Sequence, residues 1–343
     1  MRLGIKKLAK VIIRRNSSLL SFVLVSLRLV NNLTQGKKYK HQLTIIDIQK
    51  GWILHKICAV IKFYKPEAYV HESLQSIPVS ELYFFAHYRA YIHATFRNPH
   101  ILNYNSIVFF THFEDHTYMN LPNTIIFLKY ARKVCVMNSE VKTMLVNNGL
   151  LEKNVSIVYA GVDLDVFFPK KLILKKSRPV FGFCVRYKNI DTLEDRKNYQ
   201  LIIDVIRSFK TYDFILLGKG WNDFPEFDTV KELPNFRYVE TEYSNYALYF
   251  NEMDFFVSLS RLEGGPVPLL EAMACNIVPI CTRTGFAVDV IEDGKNGFLL
   301  NNNLDISDVR DVLSKALKHS PITNIRDKIS ELSWKNFAKK VLN

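Results

Sequence analysis

The sequence predicts an α/β protein of two domains, each a parallel sheet covered by helices. Three observations carry this. A chain of 343 residues, 48% hydrophobic and 23% charged, is long enough for two cores and apolar enough to fill them. Apolar runs of strand length alternate with stretches of helix length through short loops, which is the pattern of parallel sheets buried on both faces. A lysine-rich stretch bounded by prolines, Phe168 to Pro179, separates two such series and reads as a linker.

In chain order, Leu43 to Ile48 reads as a strand, Gln49-Lys50-Gly51 as a tight loop and Trp52 to Phe63 as a helix. Residues 66 to 105, rich in Tyr, Phe and His, show no clear period. Ser106 to Phe110 and Val134 to Met137 are strand-length apolar runs. Ser139 is expected to cap a helix ending near Gly149, and Val155 to Tyr159 completes the half. The second series runs through strand Val180 to Val185, helix Tyr199 to Phe209, strands Phe214 to Leu217 and Phe236 to Val239, and a helix near Tyr246 to Asn251. Strand Phe255 to Leu259, helix Pro268 to Cys275 and strand Val278 to Cys281 follow. The expected domains are 1–168 and 179–330, with 169–178 as linker and 331–343 as a C-terminal helix packing back on the first domain.

The net charge of +13 is concentrated at one end. Met1 to Ile46 contains no acidic residue but holds Arg2, Lys6, Lys7, Lys10, Arg14, Arg15, Arg28, Lys37, Lys38 and Lys40. This distribution argues against nucleic-acid binding. Apolar residues at roughly helical spacing, among them Leu19, Phe22, Val23, Leu27 and Val30, accompany the charges. A basic face beside an apolar stripe fits peripheral contact with an anionic membrane through residues 1–40. A plain basic helix and a signal peptide are the alternatives. Ser17 to Leu27 is too short to span a bilayer, and Arg28 closes it. Five scattered cysteines (Cys58, Cys135, Cys184, Cys275, Cys281) sit in or beside apolar runs and lack metal-ligand spacing, so they read as buried thiols of a cytoplasmic protein.

Residues 258 to 300 are the most informative stretch. A buried strand ends in a loop carrying Arg261 and Glu263, and Gly264-Gly265 allows close backbone approach to a ligand. Pro266 and Pro268 pre-set a helix start, whose free N–H groups and positive dipole end favour a phosphate. Glu271 lies about one turn in, placed to accept hydrogen bonds from a sugar or ribose diol. A solvated loop residue and a helix-face charge would be the bland account of the two glutamates taken singly.

This stretch resembles the signature of retaining glycosyltransferases of family four, whose GT-B fold has two facing Rossmann-like domains with a cleft between them. Glu263 and Glu271 keep that family's spacing. The resemblance implies that Glu263 touches the donor sugar hydroxyls and Glu271 the nucleotide ribose. It further implies that backbone along Gly264, Gly265, Pro266 and Val267 meets the sugar and β-phosphate, Pro266 having no N–H to give. Asn276 stands where glycine usually follows the helix, and asparagine tolerates the left-handed conformation needed there. Residues 179 to 200 resemble the family's strand, arginine and Arg-Lys helix start, which implies Arg186 and Lys197 as diphosphate-holding cations, with Val185 in place of the usual glycine. FILLGKGW, 214 to 221, resembles the loop near the base, with Gly218 and Gly220 as contacts. NSEVKTMLVNNG and VYAGVDLDVFFP resemble the end of the family's first domain, so the match runs from about residue 130 to 300. Within it Asp163 and Asp165 read as structural.

In the first half, the strand ending at Phe110 leads into Thr111, His112, Phe113, Glu114, Asp115 and His116. His112 best matches a histidine the family places near the sugar; a structural histidine bonded to backbone is the alternative. Gly51 would stand in for the family's double glycine in the first βα loop. The resemblance implies retention without a protein nucleophile, the donor β-phosphate taking the acceptor proton, and neither metal nor cofactor beyond the nucleotide diphosphate sugar itself. The expected function is transfer of a sugar to a hydroxyl acceptor, lipid-linked or membrane-borne. Polysaccharide or lipopolysaccharide assembly at the cytoplasmic face of the plasma membrane would suit it. A sugar-nucleotide epimerase of the same fold and a catalytically silent nucleotide-sugar-binding partner subunit are the rival readings.

Overall fold

Two six-stranded sheets, parallel throughout, organise the chain. They are seen in a computed structural model that describes residues 17–34, 39–48, 53–113, 120–170, 177–188, 196–319 and 324–343. The chain divides into two compact units, one running to Val158 and including Phe337–Asn343, the other comprising Tyr159–Asn336. Gly51, Glu114, Asp115, His116 and most of the expected linker lie outside the described residues.

The first sheet holds β1 (His41–Ile46), β2 (Tyr69–His71), β3 (Ser80–Phe85), β4 (Asn105–Phe110), β5 (Lys133–Val136) and β6 (Val155–Ile157), in the order β2-β1-β3-β4-β5-β6. Its helices of eight residues or more are α1 (Ser17–Thr34), α2 (Ile53–Tyr64), α3 (Tyr88–Arg97), α4 (Leu121–Leu128) and α5 (Ser139–Asn147). The core joins Tyr83, Phe85, Tyr88, Tyr91, Phe110 and Phe127 to Leu20 and Leu24 of α1.

The unparsed stretch 66 to 105 contains β2, β3 and α3. The reason is local. α3 buries Tyr88, Ala90, Tyr91, Ile92, Ala94 and Thr95, too many positions for a one-sided apolar stripe. Its cap is His87, whose ring accepts from the Arg89 amide at 3.1 Å, so the usual Ser, Thr, Asp or Asn start signal is missing. A second difference lies at α5. The capping residue is Asn138, not Ser139: Asn138 has extended backbone, and its side chain accepts from the Val141 amide at 2.8 Å. Adjacent Asn and Ser compete for one cap, and here the residue that reaches the third helical amide wins.

The second sheet holds β7 (Val180–Cys184), β8 (Asp213–Leu217), β9 (Phe236–Val239), β10 (Phe255–Ser258), β11 (Val278–Thr282) and β12 (Phe298–Leu300), ordered β12-β11-β10-β7-β8-β9. Helices α6 (Tyr199–Ser208), α7 (Val267–Ala274) and α8 (Ile306–Lys318) follow the same alternation, while the last helix, α9 (Trp334–Leu342), belongs from Phe337 onward to the first unit. From β7 the chain first moves outward through β8 and β9, then returns to β10 on the other flank. The loops after β7 and β10 therefore part at a topological switch point, where open α/β sheets hold ligands. Among the described residues, no helix is long and apolar enough to cross a membrane.

Candidate active site

The loops leaving β7 and β10 meet the starts of α6 and α7 around a cavity of about 50 Å³ lined in part by Cys184, Lys197, Ser260, Glu263, Pro266 and Pro268. Backbone ties fix its walls. Asn198, left-handed at φ +58°, turns the chain into α6, and its side chain donates to the Leu259 carbonyl at 3.3 Å. The Arg196 carbonyl accepts from the Arg261 amide at 2.7 Å. Lys197 is thereby held against the β10 loop, where its ammonium bonds the Glu263 carboxylate.

Glu263 is anchored from a second side. Its amide donates to Thr284 Oγ1 at 2.8 Å, and Thr282 Oγ1 donates to the Ser260 carbonyl at 2.5 Å. Gly285, at φ +58°, lies so close that an added Cβ would stand 3.1 Å from Glu263 Cβ, the Gly264 carbonyl and Pro266 Cδ. The positive-φ glycine of this loop pair is Gly285, not Gly264 or Gly265. Thr284 and Gly285 were not legible as site residues, since their role is to brace a loop distant in sequence.

Burial alone would push the Glu263 carboxyl up. The Lys197 charge and its hydrogen bond, the Ser260 hydroxyl and Arg196 outweigh that, and the group is held below its ordinary 4.5. A carboxyl depressed on folding contributes stability that is complete above 4.5 and is lost as pH falls through the lower folded value. The expected result is that wild type loses its melting-temperature advantage over Glu263→Gln as pH is lowered from about 7 to about 3. A constant gap would contradict the coupling.

α7 starts at Val267 with Pro266 as a cap that makes no side-chain bond and Pro268 in its first turn. The helix is buried along nearly its whole length, and Glu271 is 2% exposed. Its carboxylate accepts from the Tyr243 hydroxyl. Burial first, and the Glu271 charge next, push the Tyr243 phenol far up, so it stays a donor. Cys184, closing β7, is pushed well up by burial and by Glu271, while Lys197 acts in the opposite sense; the thiol thus senses both partners of the site. Asn276 is left-handed at φ +62°, and its side chain also accepts from the Ile325 amide at 3.0 Å, a tie glycine could not make.

Arg186 is exposed at the end of β7, its carbonyl accepting from the Tyr199 hydroxyl at 3.1 Å. Gly218 has φ +148°, and an added Cβ would stand 2.2 Å from the Val185 carbonyl, which also accepts from the Trp221 indole at 2.8 Å. Gly220, at φ +89°, presses similarly on the Tyr187 carbonyl. Both glycines are therefore demanded by backbone packing between the β7 and β8 loops. Gly218→Ala is expected to destabilise by about 2–4 kcal/mol in chemical denaturation, from strain and the carbonyl clash.

In the first unit, His112 stands just past the C-terminal end of β4, its Nδ1 3.1 Å from Thr111 Oγ1. At the end of β1 the buried Asp47 carboxylate lies 2.6 Å from His55 Nδ1, a pair the sequence did not announce. Asp163 accepts from the Asp165 amide at 3.1 Å, and Arg326 clamps the Leu164 and Phe167 carbonyls to Ala274 at the end of α7. That accounts structurally for the segment in which the two aspartates occur.

A family profile described as glycosyl transferases group 1 matches residues 187–335, which span the Lys197, Glu263 and Glu271 positions just described. An uncharacterized glycosyltransferase of Methanocaldococcus jannaschii is 25% identical over 222 residues, 62% of this chain and 58% of that protein. The N-acetyl-alpha-D-glucosaminyl L-malate synthase of Bacillus anthracis is 26% identical over 198 residues, 54% of this chain and 50% of that one. The chain thus spans about half the length of these curated relatives. Among solved structures, the Anabaena HepE protein in complex with UDP and glucose superposes with a TM-score of 0.67 at 14% identity, covering 88% of this chain and 98% of that one. The chain thus has the GT-B fold, as the sequence resemblance implied.

Proposed function

We propose that the protein is a retaining glycosyltransferase that moves a sugar from a nucleotide diphosphate donor to a hydroxyl acceptor. The observation that carries this is the Lys197–Glu263 pair beside the start of α7, with the buried Glu271 one turn further on. An ammonium has three donors. Lys197 gives one to Glu263 and keeps two for phosphate oxygens, with Arg186 as a second cation. The helix start adds partial positive charge. As the bond from the sugar to the β-phosphate oxygen breaks, its electron pair stays on the diphosphate, and fixed cations stabilise that charge without reorganising. The acceptor oxygen bonds the anomeric carbon on the same face, and its proton passes to the departing phosphate. Glu263 holds sugar hydroxyls and Glu271 the ribose. Gly264, Gly265 and Val267 supply backbone contacts, and Gly218 and Gly220 border the base. His112 and Gly51 serve the first unit's side of the reaction. No metal or further cofactor enters this scheme.

The acceptor is proposed to be a lipid-linked or membrane-borne glycan of the cell envelope, met at the cytoplasmic face of the plasma membrane. Supporting this is α1, which leaves Leu19, Phe22, Val25, Leu29 and Val30 exposed within a segment devoid of acidic residues. The test is incubation with a panel of nucleotide sugars, with and without membrane extract as acceptor source. Donor-dependent release of nucleoside diphosphate with label entering the lipid fraction is expected. Conversion of donor to an epimer without acceptor would contradict the reading.

A further inference from the structure

Within the first unit, a cavity of about 280 Å³ opens between α1, α4 and the turn before β4, lined by Ser21, Arg28, Leu102, Ile126, Lys129 and Tyr130. At about 30 Å³ per water, it has room for roughly nine waters, enough for a phosphate and a small polyol. Its lining carries two cations, a hydroxyl, a phenol and no carboxylate. Arg28 lies 5.8 Å from the centre of the Tyr130 ring, and the Lys129 ammonium lies over Gly149. Among the described residues neither cation is paired with a carboxylate.

The surroundings of the cavity identify its occupant. Ser21, Val25 and Arg28 follow i, i+4, i+7 spacing, so the polar lining runs alongside the exposed apolar stripe of α1. On that stripe Phe22 is 68% and Leu29 58% exposed. An anion-seeking hollow flanked by bare apolar side chains matches a phospholipid lying with its headgroup in the hollow and its chains beside the stripe. The position also separates this hollow from acceptor chemistry. Leu102 comes just before β4 and Lys129–Tyr130 just before β5, at the N-terminal ends of the strands, whereas His112 follows the C-terminal end of β4.

We propose that this cavity is a binding site for the phosphate headgroup of an anionic phospholipid. The inference rests on the membrane-surface reading above and adds the chemistry of what α1 docks on.

The test is co-sedimentation of the whole protein with vesicles of phosphatidylcholine alone and of equimolar phosphatidylcholine and phosphatidylglycerol. Wild type is expected to prefer the anionic vesicles, and the double variant Arg28→Ser with Lys129→Ser to lose about tenfold or more of that affinity. A control variant, Lys37→Ser with Lys38→Ser, removes the same amount of charge, from the basic N-terminal stretch that also holds Arg28, and is expected to lose clearly less. Equal losses in the two double variants would mean diffuse attraction and overturn the headgroup site, as would wild-type binding by the cavity variant. Free glycerol phosphate that blocks vesicle binding at low concentration would assign the hollow to a soluble anion and overturn the lipid assignment. Phe22→Ser with Leu29→Ser tests the underlying reading separately: vesicle binding that it leaves intact removes the membrane-surface role of α1, and the inference with it.

Discussion

Glu271→Gln is expected to lower kcat/KM for the nucleotide-sugar donor by about a hundredfold or more while leaving the fold intact. The size follows from the proposed ribose contact, two hydrogen bonds between a diol and a carboxylate, each worth about 1.5–3 kcal/mol when charged. The fold survives because glutamine has the same shape and keeps an acceptor oxygen for the Tyr243 hydroxyl. That matters in a helix where Leu269, Leu270, Ala272, Met273 and Ala274 are all buried around Glu271. Tyr243→Phe is the companion: it removes only the bond that orients the carboxylate, and a rise in KM of about tenfold with little change in kcat is expected. Steady-state kinetics together with thermal unfolding check both. Wild-type-like turnover in Glu271→Gln would remove Glu271 from the donor site.

Lys197→Met is expected to affect turnover and stability together. Turnover should fall by about 10³, since a fixed cation at a departing diphosphate is worth about 3–4 kcal/mol in the transition state. Stability should fall by about 3 kcal/mol, because the Glu263 carboxylate, with a side chain only 11% exposed, is left without its ammonium. The two effects can be parted. Combining Lys197→Met with Glu263→Gln removes both charges and should restore most of the lost stability without restoring turnover. Denaturant unfolding and donor turnover measured on the four proteins of this cycle provide the check. Recovery of turnover in the double variant would mean that Lys197 only neutralises Glu263.

The contrast between Glu271 and Lys197 shows how much was legible in the sequence. Glu263, the glycines, the prolines and Glu271 belong to one strand–loop–helix segment, so their arrangement follows from local spacing. The strands β7 to β11 were legible for a similar reason, as apolar runs bounded by short loops. The Lys197–Glu263 bond joins residues 66 apart, and the Tyr243–Glu271 bond residues 28 apart. No local period encodes such contacts; they depend on the strand order that sets β7 beside β10. The same holds for Thr284 and Gly285, whose sequence neighbourhood reads as an ordinary turn. In the first unit, aromatic residues buried on several sides of α3 erased the helical stripe that would have revealed it. On α1 the exposed Leu19, Phe22 and Val30 were legible but Val25 and Leu29 were not, because a helix that also sends Leu20 and Leu24 into the core carries apolar residues on more than one side.

The most direct measurement is titration of a series of nucleoside mono- and diphosphates into wild type, Glu271→Gln and Lys197→Met by calorimetry. The expected result is that one diphosphate binds wild type at least about tenfold more tightly than its monophosphate. Lys197→Met should abolish that preference, and Glu271→Gln should weaken both ligands alike. A wild-type protein that binds none of the nucleotides, or one that binds the diphosphate unchanged in both variants, would contradict a donor site at the start of α7.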